Sequence, residues 1–207
     1  MTRGKFITLE GGEGVGKTTN MGFIKDYLEQ HKISVVVTRE PGGTALAEKL
    51  RQLLLKKDSE TISEQAELLM IFAARAQHIK HVIEPALAKG QWILCDRFTD
   101  ATYAYQGGGR NMRISTIEWL ENMVQGHLKP DLTILLDAPV EIGMERARNR
   151  ATFDRFESEA IYFFENVRRA YLLQAELNPD RIKLIKANQP LVDVQRALIE
   201  IICTYLR

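Results

Sequence analysis

The sequence predicts a three-layer α/β fold in which a five-stranded parallel sheet is flanked by helices and carries a short lid. Two observations carry that expectation. Short apolar or β-branched runs alternate with helical patterns along the chain, the signature of parallel strands joined by right-handed crossovers. The first run, Phe6-Ile7-Thr8-Leu9, also opens straight into a glycine-rich turn followed by a helical pattern. Taken in order, strands are expected over residues 6–9, 34–38, 92–95, 132–136 and 182–185. Between them, a helix over 16–30 places Met21, Ile24, Tyr27 and Leu28 on one stripe, 44–55 is rich in leucine, and 64–87 is long with Pro85 near its end. Helices over 115–124, 140–150 and 157–177 follow. The last, 190–206, aligns Leu191, Val194, Leu198, Ile201, Ile202 and Tyr205, starts on a proline, and is expected to pack on the sheet. No repeat, low-complexity tract or linker interrupts the chain. The expectation is one domain over residues 1–207, with the lid at about 146–157.

Charge is balanced, 28 Lys+Arg against 27 Asp+Glu, so no overall field points to nucleic acid or to a membrane as partner. Cys95 lies in an apolar run and Cys203 in the last helical pattern, which reads as buried thiols in a reducing compartment. No uncharged apolar run is long enough to span a bilayer and no signal peptide is visible. A cytoplasmic protein is expected.

Gly11-Gly12-Glu13-Gly14-Val15-Gly16-Lys17-Thr18 fits the pattern G-x-x-x-x-G-K-[ST] between the first strand and the first helix, which is the P-loop arrangement. Its glycines let backbone N–H groups turn around a di- or triphosphate at a helix N-terminus. Lys17 neutralises β/γ-phosphate charge, and the Thr18 hydroxyl can ligate Mg²⁺. These residues, with Thr19 beside them, form the candidate ATP site.

In an open parallel sheet the ligand lies at the carboxyl ends of the strands. There the chain carries Thr38-Arg39-Glu40-Pro41-Gly42-Gly43-Thr44, Asp96-Arg97-Phe98, Asp137, and Lys186-Ala187-Asn188-Gln189-Pro190. Asp96 is positioned like a Walker B acid holding Mg²⁺ or its waters. Arg39 and Arg97 converge beyond the γ-phosphate position, where two guanidinium forks suit a second phosphate group; surface ion pairs are the plainer alternative. Arg146, Arg148, Arg150 and Arg155 form a local basic surplus with only Asp154 against it. That cluster is either a solvated helix end or a lid carrying arginine to the transferring phosphoryl group. The absence of any cation in the P-loop besides Lys17 favours the lid. Arg75 near Ile71 and Phe72 reads equally well as a snorkelling core-edge residue or as part of a base pocket. His78 and His81 are expected to be surface polar residues, and Gly107-Gly108-Gly109-Arg110 a mobile loop beside the site.

The P-loop, Thr38-Arg39-Glu40-Pro41-Gly42-Gly43-Thr44, Ala73-Ala74-Arg75, Asp96-Arg97, Ala104-Tyr105-Gln106-Gly107 and Asp154-Arg155 together resemble the thymidylate kinase family. The resemblance runs essentially end to end. The T-R-E-P-G-G-T string is nearly specific to that family, whereas the P-loop is shared by many NTPases. The resemblance implies ATP- and Mg²⁺-dependent phosphorylation of dTMP to dTDP, on the route to dTTP for DNA replication, by a cytoplasmic homodimer. It implies that Arg39 and Arg97 grip the dTMP phosphate, that Pro41, Ile71 and Phe72 line the acceptor pocket, and that Arg75, Thr102 and Gln106 meet the polar edge of thymine. The ring of Tyr105 would pack where a ribose 2′-hydroxyl would clash, and Glu13 would approach the sugar 3′-hydroxyl. Arg146 would lie near adenine, with Arg148, Arg150 and Arg155 near phosphates. Two positions depart from common relatives: Ile71 replaces an aromatic residue that stacks on thymine, and Ala151 replaces a lid glycine.

The implied chemistry is in-line attack by a dTMP phosphate oxygen on the γ-phosphorus. Lys17, Arg97, Glu13 and the lid arginines position and neutralise, and no general base is needed. A GTP-driven switch would carry Asn-Lys-x-Asp and Asp-x-x-Gly strings, and neither occurs. A kinase for another nucleoside monophosphate is the remaining alternative, since only the resemblance singles out thymine.

Overall fold

The computed structural model describes residues 2–56, 60–148, 155–156 and 159–206, with Arg148 described in its backbone alone. Five strands, β1 (Phe6–Glu10), β2 (Val35–Arg39), β3 (Trp92–Asp96), β4 (Leu132–Asp137) and β5 (Ile182–Lys186), form one parallel sheet in the order β2-β3-β1-β4-β5. The sequence expectation therefore holds, with each of the five strands ending one residue further toward the site.

Central β1 is buried throughout, because helices cover both its faces. Alternation along the strand sorts the core. Ile7 and Leu9 face α1 (Lys17–Gln30) and α9 (Leu191–Cys203), packing with Ile24, Leu28, Leu198 and Ile202. Phe6 points to the other side, with Ile79, Ile83 and Phe98. Each such fully buried side chain contributes about 1.5–3 kcal/mol. Register matters more for function: Arg39 pairs with Asp96 across β2 and β3, and Leu9 pairs with Asp96 across β1 and β3. The ends of three neighbouring strands thus form a single rim.

The long helix expected over 64–87 is divided into α3 (Glu64–His78), a π-helical turn at Ile79–Ile83, and α4 (Glu84–Ala88). Pro85 has no N–H to donate to the preceding turn, and the wider turn falls just ahead of it. The expected glycine loop is also helical. After α5 (Thr99–Thr102) a π-helical segment, Tyr103–Gly109, packs on α8 (Ile161–Leu177). A Cβ at Gly108 would lie 2.8 Å from the Asn166 carbonyl oxygen, and one at Gly109 would lie 2.4 Å from the Phe163 ring. Those glycines serve close helix approach, which a sequence read by local turn propensity does not reveal.

The remaining helices are α2 (Ala45–Leu55), α6 (Ile114–Gln125) and α7 (Val140–Arg148). Residues 149–154 and 157–158, most of the expected lid with Arg150, Ala151 and Asp154, lie outside the described residues. No described helix is long and apolar enough to cross a membrane.

Candidate active site

The P-loop fills the connection between β1 and α1, and backbone geometry explains its glycines. Gly14 has φ +67°, and a Cβ there would sit 1.9 Å from the Gly143 carbonyl oxygen of α7. Lys17 folds into the loop, its Nζ donating to the carbonyls of Gly11 at 3.0 Å and Gly12 at 2.7 Å. Burial and the neighbouring Arg97 charge pull its pKa down to about 8, against the opposing pull of Glu13 and Asp96.

Arg97 leaves the end of β3 with φ +69°, an uncommon conformation for a residue with a side chain and one that concentrates at functional sites. Its guanidinium contacts Glu13 of the P-loop at 2.7 Å and stacks 4.6 Å from the centroid of the Tyr105 ring. The Tyr105 hydroxyl donates to the same Glu13 oxygen at 2.7 Å. Burial pushes the Glu13 carboxyl up, but Arg97, Lys17 and that hydroxyl together bring it down to about 2. Glu13, 84 residues from Arg97 and 92 from Tyr105, thus joins them in one charged cluster.

Arg39, on the same rim, donates to Glu48 at 2.9 Å, while Glu48 also accepts from the Gly43 N–H at 2.9 Å. Arg51 of α2 joins them, donating to the Pro41 carbonyl at 3.1 Å. Burial and the charges of Arg39 and Arg97 depress its pKa. The sequence reading missed Arg51, because helix periodicity alone does not say which stripe of α2 faces the cleft. Mutually repelling guanidiniums at one rim are the arrangement a multiply charged phosphate stabilises.

Behind the rim lies a buried polar chain. Glu40 accepts from Arg75 Nε at 2.7 Å and bonds His78 Nδ1 at 2.9 Å, while His78 Nε2 bonds the Thr38 hydroxyl at 2.7 Å. His78 is fully buried, so the expectation of a surface residue is corrected; His81 is exposed as expected. Gly43 must be glycine here, since at φ +84° a Cβ would lie 2.4 Å from the His78 ring. Arg75 further donates to the Phe98 carbonyl at 3.2 Å and the Thr102 hydroxyl at 2.9 Å. Its carbonyl and carboxylate partners make it a structural node at the cavity wall. Ile71 lines that cavity, whereas Phe72 turns into a core cluster with Leu68, Ile117 and Leu120.

One cavity of about 590 Å³ is lined by the P-loop and by Arg39, Arg51, Arg75 and Arg97. Gly14, Val15, Gly16, Thr18 and Thr19 line it together with Thr102, Tyr105 and Gln106. Arg146 also reaches it, donating to the Ala187 carbonyl after β5 at 3.1 Å. Arg155 donates to the Leu54 carbonyl at 2.8 Å and to Glu67, while its backbone N–H meets the Leu55 carbonyl at 3.3 Å. Phe156 beside it lines the cavity and meets Tyr105 edge-on at 6.0 Å between ring centroids. Asp96 Oδ1 is buried with no hydrogen-bond donor among the described residues, although Asp96, like Thr18, lines the cavity. An orphaned carboxylate oxygen there fits Mg²⁺ or one of its waters.

A P-loop joined by one cavity to a second, cation-rich rim defines a nucleotide-handling phosphotransferase of the P-loop class. Comparison with known proteins makes the assignment narrower. The family model for thymidylate kinase matches residues 9–198, and the chain belongs to the thymidylate kinase family. The chain is 58% identical to a thymidylate kinase of Teredinibacter turnerae over 199 residues, 94% of this chain and 97% of that protein. It is 56% identical to one from Pseudomonas putida over 193 residues, 93% of each chain. The crystal structure of a thymidylate kinase from Ehrlichia chaffeensis superposes with a TM-score of 0.77 at 33% identity, covering 97% of this chain and 99% of that one.

Proposed function

We propose that the chain transfers the γ-phosphoryl group of ATP to dTMP, giving ADP and dTDP. The observation that carries this reading is one continuous cavity lined both by the P-loop and by Arg39, Arg51 and Arg97, which fits two phosphate groups meeting in a shared space. Lys17 and the P-loop glycines hold the ATP phosphates, with Arg146 beside adenine. Arg39 and Arg97 hold the acceptor phosphate, and Glu13 orients Arg97 and the sugar end. Arg75, Thr102, Gln106 and Ile71 surround the base. Thr18 and Asp96 hold Mg²⁺, which supplies charge neutralisation when bound. Attack is in line, with no covalent enzyme intermediate. Arg148, Arg150 and Arg155 of the lid neutralise charge and close the site against water.

The same reading extends to assembly and location. Leu46 and Leu53 of α2, Leu69 of α3, and Trp119 and Met123 of α6 are exposed on neighbouring helices. Trp119 is 63% exposed. A second copy of the chain covering this apolar stripe gives a homodimer. The free thiols Cys95 and Cys203 fit a cytoplasmic setting. Calorimetric titration with dTMP, AMP, CMP, UMP and GMP tests the acceptor. Binding of dTMP alone is expected, and preference for another monophosphate would overturn it.

A further inference from the structure

Glu67 is a carboxylate on α3 that is 1% exposed and bonded by three side chains, two from the Tyr103–Gly109 segment and its end and one from Arg155. Gln106 Nε2 donates to its Oε1 at 2.8 Å. Arg110 donates to Oε1 at 3.4 Å and to Oε2 at 3.5 Å, and Arg155 donates to Oε2. A carboxylate held by two guanidiniums can only accept, so the Gln106 amide must turn its NH₂ toward it. The consequence falls on the cavity. Gln106 lines it, and its Oε1 accepts nothing among the described residues.

Arg75 lies two helical turns further along α3 and lines the same cavity, with Ile71 between them. Its guanidinium can only donate, and with Nε on Glu40, Nη2 on the Phe98 carbonyl and the Thr102 hydroxyl, and Nη1 on Gln125 at 3.5 Å, one Nη1 N–H is left for a ligand. One wall of the acceptor pocket therefore offers a donor, Arg75, and an acceptor, Gln106 Oε1. A 4-oxopyrimidine presents the complementary pair, a carbonyl at C4 and an N–H at N3. A 4-aminopyrimidine presents the reverse, an amino donor facing a guanidinium and a bare ring nitrogen facing a carbonyl oxygen. A reversed Gln106 amide would lose that discrimination.

We propose that Glu67 is a positioning residue for base selection: it locks the Gln106 amide with Oε1 toward the cavity and so favours 4-oxo over 4-amino pyrimidines. It touches no substrate and acts through Gln106. The proposal rests on the acceptor being dTMP.

The test measures kcat and KM with MgATP for dTMP and dCMP in the wild type and in Glu67→Gln, Gln106→Met and Arg110→Met. Glu67→Gln and Gln106→Met should each lower the dTMP to dCMP ratio of kcat/KM by about tenfold or more, because a site built to hydrogen-bond its substrate discriminates steeply. The loss should appear in KM for dTMP, with kcat largely kept, and combining the two variants should add nothing further. Arg110→Met should keep the wild-type ratio, since it removes another partner of the same carboxylate while leaving Gln106 bonded. Should thermal melting show that Glu67→Gln fails to fold, the charge-balanced Glu67→Gln/Arg110→Met carries the same prediction. Wild-type discrimination in folded Glu67→Gln, or an equal loss in Arg110→Met, overturns the proposal. A wild-type protein that phosphorylates dTMP and dCMP equally overturns the functional reading and this inference with it. A dTMP preference in the wild type upholds that reading whatever the variants do.

Discussion

Replacing Tyr105 by alanine tests whether the acceptor sugar is selected by shape. The ring is held edge-on by Phe156, Phe163 and Tyr171 at centroid distances of 6.0, 6.1 and 6.3 Å. Arg97 covers its face, and its hydroxyl is fixed to Glu13 at 2.7 Å. A ring confined in this way cannot step aside for an added 2′-hydroxyl. Its removal should narrow the preference for dTMP over the ribose counterpart by about 1–3 kcal/mol, about 5- to 150-fold in the ratio of kcat/KM values. Tyr105→Phe keeps the ring and should keep the preference. Truncating a buried aromatic also costs about 3–5 kcal/mol of stability, so assays belong well below the melting point of the variant. An unchanged ratio in folded Tyr105→Ala would refute the steric account.

Lys17→Ala should lower kcat by several orders of magnitude with the melting curve little changed, because among the described residues Lys17 hydrogen-bonds only P-loop carbonyls and it serves phosphate; retained turnover would contradict this. Arg150→Ala, in the segment proposed as a lid, should lower kcat at least about tenfold and leave dTMP affinity nearly unchanged, as expected when an interaction is made mainly in the transition state. Weaker dTMP binding with intact kcat would move that arginine to the acceptor site. A pH dependence follows from Lys17, whose pKa is depressed to about 8 from the usual 10.5. Phosphate favours the ammonium form, so ADP affinity should fall as pH rises through 8 to 9. Calorimetry in two buffers should then register proton uptake on binding, and a flat profile would remove Lys17 from that role.

The sheet and the P-loop were legible because their signals are local: alternating apolar runs, and glycines spaced ahead of a lysine. Arg39 and Arg97 were singled out by their strand-end positions and Arg75 by its apolar neighbours, resemblance added Tyr105 and Gln106, and all five line one cavity. What escaped depends on partners distant in sequence. His78 looks like a surface histidine until Glu40 and Thr38 close around it. Glu67 looks like one more acid near a helix start until Gln106, Arg110 and Arg155 reach it. The glycines at 107–109 look like a loop until α8 packs against them.

The most direct test of the central claim is a coupled assay of ADP release by the purified protein with MgATP, run with and without dTMP. The account predicts slow background release alone, a large saturable stimulation by dTMP, and dTDP formed in a one-to-one ratio with ADP. Release that does not depend on dTMP, or stimulation without dTDP, would contradict it.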